Sequence, residues 1–131
     1  MTDHLRQIDA AVAAHDEWKA HLLNAIAAGS SELDPDQAGA DDHCAFGTWL
    51  SSVGPDMKAS LHYERVCDLH ARFHKAAAAV LRLAIGGRGA QALTSLEFGS
   101  DYVSASVLLV DEMELWRREL EHGMPGAVPQ P

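Results

Sequence analysis

Leu69-His70-Ala71-Arg72-Phe73-His74 decides how this chain is read. Its two histidines are four residues apart, just over one helical turn, so both imidazoles leave one face with Cβ atoms about 5–6 Å apart. That spacing suits two ligands of one metal ion. His-x-x-x-His also recurs by chance, so its meaning depends on what other segments bring to the same face.

Residues 55–85, which contain this pair, read as a long helix that opens with Pro55 in its first turn. Met57, Leu61, Cys67, His70, His74, Ala77, Leu81 and Ile85 form one stripe, and Val66, Leu69, Phe73, Val80 and Leu83 an adjacent one. A helix apolar over so wide an arc contacts more than one neighbour. Upstream, residues 3–28 form a second helical pattern through Leu5, Ile8, Val12, His15, Leu22 and Ile26, with Gly29 as its stop. His15 falls on the buried stripe. A histidine there is either a core residue with its ring hydrogen-bonded, the commoner case, or a ligand.

Residues 29–42 are acidic and rich in turn formers, and they lack the alternating Asp pattern of an EF-hand, so they read as a solvated loop. A short helix is expected after Asp41 or Asp42, ending before Gly54-Pro55, with Phe46, Trp49 and Leu50 anchoring it. Cys44 falls in its first turn. The helix dipole there favours a thiolate, the metal-binding form; the alternative is a small buried hydrophobe. Gly86-Gly87-Arg88-Gly89 reads as a tight turn, and residues 90–121 as one last helix with Leu93, Leu96, Val103, Val107, Val110, Met113 and Leu120 inward. Gly99-Ser100 near its middle is a point where that helix is expected to bend or to allow a close helix contact. Leu108, Leu109 and Trp116 fall off its main pattern, and such surplus apolar surface on long helices suggests a symmetric dimer.

Length and composition frame this reading. The 131 residues fit one domain, expected over 1–121, and 47% hydrophobic with 22% charged residues permits a core. Residues 122–131, with three Pro and two Gly, read as a disordered tail. A formal net charge of −9 without a Lys/Arg cluster disfavours nucleic acid as a partner. No apolar run is long enough to span a bilayer, and Met1 is followed by polar residues rather than a signal peptide. Two cysteines, Cys44 and Cys67, make no disulfide framework, so the reducing cytoplasm is the expected setting.

Three segments thus offer four ligand-type residues: His15, Cys44, His70 and His74. A His₃Cys set suits tetrahedral Zn²⁺, and four protein ligands leave no open position for a hydrolytic water, so an enzyme is not expected. His43 points about 100° away from Cys44 on a helix and is expected to be exposed or to support a ligand from behind; His21 falls off the His15 face, and His4, His62 and His122 are expected at the surface.

At these residues the chain resembles the chemoreceptor zinc-binding (CZB) domain family. It carries His15-Asp16-Glu17-Trp18, then Cys44-Ala45-Phe46-Gly47-Thr48-Trp49, then His70-Ala71-Arg72-Phe73-His74, in the family's order. The resemblance implies that His15 and Cys44 are ligands beside His70 and His74. It also implies an all-α fold: a cytoplasmic four-helix bundle, with a short additional helix carrying the Cys ligand, that forms a homodimer. Such modules regulate chemoreceptors or diguanylate cyclases in response to zinc or oxidants. These 131 residues hold neither a receptor signalling hairpin nor a cyclase domain, so action in trans, or a place in a longer protein, is expected. Cys67 is not part of the motif. The competing reading is a di-iron or haemerythrin-like carrier on the same bundle class, which needs inward Glu-x-x-His pairs that this chain lacks.

Overall fold

The computed structural model describes residues 2–31, 34–39 and 45–122. Among them every regular element is helical: α1 (Thr2–Ala28), α2 (Pro35–Ala38), α3 (Ala45–Ser52), α4 (Pro55–Lys58), α5 (Leu61–Ile85), α6 (Gly89–Thr94) and α7 (Asp101–Glu121). The all-helical class expected from the sequence is the class found. No helix among the described residues is long and apolar enough to cross a membrane.

The long helices α1, α5 and α7 pack on one another, with α5 and α7 the most extensive pair. α5 is central because it buries Val66, His70, Phe73, His74, Ala77, Ala78, Val80, Leu81 and Ala84, an arc wide enough for several neighbours. α1 buries Ile8, Ala11, His15, Leu22 and Ala25. The alanines on this line, Ala11 and Ala25, let the backbones approach, while Leu5, Val12 and Ile26 are only half-buried at its edge. The short α3 touches all three long helices. Its Trp49 ring lies 5.6 Å from Trp116 of α7, and its Phe46 ring lies 5.2 Å from His70 of α5 and 6.0 Å from His15 of α1.

Local capping chemistry divides two stretches that read as single helices. The expected helix over residues 55–85 is α4 followed by α5. Ser60 is extended between them (ψ 136°), accepts the His62 backbone N–H at 3.1 Å and donates its hydroxyl to Glu119 Oε2 at 2.6 Å. A serine side chain that satisfies the first free N–H groups starts a new helix rather than continuing the old one. The expected helix over residues 90–121 is α6 followed by α7. Ser100 caps α7 by accepting the Val103 N–H at 3.2 Å, and Gly99 supplies φ +90°, a conformation disfavoured for any side chain with a Cβ. The acidic stretch 29–42, expected as loop throughout, contains the helical turn α2.

The α6 break also shifts the buried face of α7. Tyr102, Ala105, Leu109, Glu112, Met113, Trp116 and Leu120 face the core, whereas Leu93 and Val107, expected inward, are 48% and 51% exposed. Leu109 and Trp116, expected as surplus surface, are completely buried. Trp116 sits between Trp49 and Tyr63, whose rings lie 5.6 and 5.9 Å away. Trp116→Ala is therefore expected to destabilise the fold by about 3–5 kcal/mol. Leu93→Ala, at an exposed site, is expected to stay within about 0.5 kcal/mol. Urea unfolding of the two variants checks the assignment.

Candidate metal centre

Each of three histidines reaches the bundle interior from a buried helix face. His15 is 3% exposed on α1; His70 and His74, at 0% and 2%, lie one turn apart on α5. One ligand nitrogen from each lies within 4.8 Å of the others. The His70 and His74 Nε2 atoms are 3.0 Å apart, with ring planes at 86°. The His15 ring centroid is 5.1 Å from that of His70 and 5.6 Å from that of His74. Phe46, Phe73 and Trp18 wall the cluster with edge-on rings.

Backbone carbonyls set the tautomers. His15 Nδ1–H donates to the Ala11 carbonyl at 2.6 Å, and His74 Nδ1–H donates to the Ala38 carbonyl of α2 at 2.9 Å. A carbonyl oxygen only accepts, so both rings carry a proton on Nδ1 and turn Nε2 toward the cluster, where that of His74 is hydrogen-bonded to His70 Nε2. This is the usual way a protein orients an imidazole ligand. His15 Nε2 is buried without a hydrogen-bond partner. A core histidine with a satisfied ring, the alternative reading of the sequence, would not leave that lone pair unused.

The donor set fits zinc. Tetrahedral ligands at zinc–nitrogen distances near 2.0–2.1 Å are roughly 3.3–3.4 Å apart. The His70–His74 separation is already close to that edge. Among the described residues no carboxylate joins the cluster, so the di-iron alternative finds no support in it.

Burial disfavours the charged form of His15 and His70. Desolvation pushes the pKa of His15 down to about 4, against the smaller opposing effect of its bond to Ala11. Desolvation, then repulsion from His74 and His15, pushes that of His70 down to about 3. Neutral imidazole is the ligand form.

Cys44 and His43 lie outside the described residues; α3 begins one residue after Cys44, at Ala45. Cys67, expected on the metal-facing stripe, is half-buried and packs against the core beside Tyr63, outside the cluster. Two histidines expected at the surface have partners: His62 Nδ1 bonds Glu112 Oε2 at 2.5 Å, and the His4 ring lies 5.7 Å from Trp49. The Ala38 carbonyl was not legible in the sequence, since any residue could supply it. The signal beside it is Gly39, where a Cβ would come within 3.1 Å of Ala78 Cβ, so the end of α2 sits tightly against α5.

A family model described as the chemoreceptor zinc-binding domain matches residues 15–81, just over half of the chain and all three motif segments. No curated protein and no solved structure matches. The family binds zinc, and the buried histidine triad lies within the matched region.

The lowered pKa values set a pH dependence. At pH between about 4 and 6.5 the unfolded chain binds protons at His15 and His70 that the folded chain does not. Their contribution is therefore fully present above pH 6.5 and is lost as pH falls toward 4 and then 3. Melting of the metal-free protein from pH 8 to 4.5 is expected to show this decline, and His15→Leu is expected to flatten it.

Proposed function

The chain belongs to the chemoreceptor zinc-binding domain family, and on that premise we propose that it is a cytoplasmic zinc-dependent regulatory module rather than an enzyme. The observation that carries the reading is the buried triad, with the His15 Nε2 lone pair unpartnered at its focus. His15, Cys44, His70 and His74 are the proposed ligands. Cys44 is adjacent in sequence to α3, and α3 holds Phe46 against both His15 and His70, which supports bringing the thiolate to the fourth corner. It would be the only anionic ligand. With four protein ligands no position stays open for a substrate or water, so zinc there organises structure rather than performing hydrolysis.

The ligands come from α1, α5 and the segment ahead of α3, so bound zinc ties together elements far apart in sequence. Metal occupancy then governs how α3 sits on the bundle. We assign the output to a homodimer acting on a chemoreceptor or diguanylate cyclase in trans. Leu108 and Leu115 on the outer face of α7, 51% and 44% exposed and two turns apart, support a helical interface between copies. An oxidant such as peroxide or hypochlorite, itself reduced, converts the Cys44 thiolate to sulfenic acid and removes the anionic ligand. Cys67 is the candidate to resolve it as a disulfide if the two sulfurs approach within bonding geometry.

Elemental analysis of protein purified without a polyhistidine tag is expected to find one zinc per chain. His70→Ala and Cys44→Ala are each expected to lose most of it under mild chelation and to melt at lower temperature, because metal binding is coupled to folding. Full zinc in both variants would overturn the ligand assignment.

A further inference from the structure

A cleft of about 170 Å³ between α1 and α7 has the buried His15 in its lining, and its polar walls are Asp16, Lys19, Tyr102 and Ser106. The sides of the triad described above are closed differently, by the rings of Phe46, Phe73 and Trp18 and by the end of α2. Asp16 adjoins His15 in sequence, and its charge acts on both His15 and Tyr102 across the cleft. It is exposed and stands outside the group of mutually close ligand atoms, so it is not a fourth member of the centre. Lys19, also exposed, places a positive charge on the same cleft three residues further along α1.

We propose that this cleft is the route by which zinc enters and leaves the triad, with Asp16 as a transient docking carboxylate and Lys19 as the opposing charge. The inference rests on the zinc reading above. Moving a bare dication from water into an apolar core is very costly, so a workable route replaces its waters a few at a time. Asp16 draws the cation into the cleft and its oxygens stand in for part of the hydration shell, the displaced waters returning to solvent. His15 Nε2 then takes over the cation, since its proton is held on Nδ1 against Ala11 and its lone pair is unpartnered. His70 and His74 complete the transfer. Lys19 repels the same cation and limits the rate.

The experiment is stopped-flow loading of the metal-free full chain with zinc, followed by transfer from the loaded protein to a chromophoric chelator. Asp16→Asn is expected to slow both processes about tenfold, the scale of local electrostatic capture, and Lys19→Glu to speed loading severalfold. Ser106→Trp, which fills the cleft from α7, is expected to slow both directions while equilibrium affinity stays within about twofold. The opposite signs at Asp16 and Lys19 distinguish a charged route from general disturbance of the fold, and they decide the matter even if Ser106→Trp fails to fold. A wild-type chain that takes no zinc overturns the ligand assignment, and this inference with it. A wild-type chain that binds zinc, with folded Asp16→Asn and Lys19→Glu loading at the wild-type rate, overturns the route alone. So does an Asp16→Asn effect confined to affinity, because that would make Asp16 a support of the ligands.

Discussion

Three imidazoles packed into one apolar core are the constraint around which this structure is arranged. A buried ring nitrogen without a partner is costly, and three rings meeting at one point cannot satisfy each other as both donors and acceptors. The protein resolves part of this by giving the Nδ1 protons of His15 and His74 to backbone carbonyls. The inward Nε2 of His15 is then left as a lone pair that a cation can take. The low pKa values of His15 and His70 have the same origin, since a proton is a poor substitute where water is excluded.

This arrangement makes the fold and the site interdependent. α5 supplies two of the histidines and is also the helix on which α1, α2, α3 and α7 converge. The carbonyl that orients His74 comes from α2, a single helical turn in an acidic stretch held against α5 by the small residues Gly39 and Ala78. α3 closes the other side with Phe46 and Trp49. The short pieces, α2 and α3, thus bear on the centre while the long helices hold it.

The polar features away from the centre serve the packing. Ser60 joins α5 to Glu119 of α7, and His62 joins the same two helices through Glu112, which is only 9% exposed. A carboxylate so placed needs a partner, and this explains why a histidine with no place in the metal pattern is not simply solvated.

The helical class was legible in the sequence, and so was the placing of His15, His70 and His74 on buried helix faces. Histidines four apart share a helix face whatever the tertiary fold, and His15 sits on an apolar stripe whose period is set by the helix alone. The sequence also marked Gly29 as the end of α1. What the sequence left open depended on forces between elements. Apolar periodicity alone did not show that Ser60 and Ser100 cap new helices, because a serine side chain competes for backbone donors in a way hydrophobic spacing does not report. It placed Met113 and Leu120 correctly on the inward face of α7 but not Val107, and only contact with Trp49 and Tyr63 decides that Trp116 is core. The convergence of three ring nitrogens, the Ala38 carbonyl and the cleft beside Asp16 belong to the tertiary structure alone. Each depends on how far apart two helices come to rest, and that distance is set by the side chains packed between them.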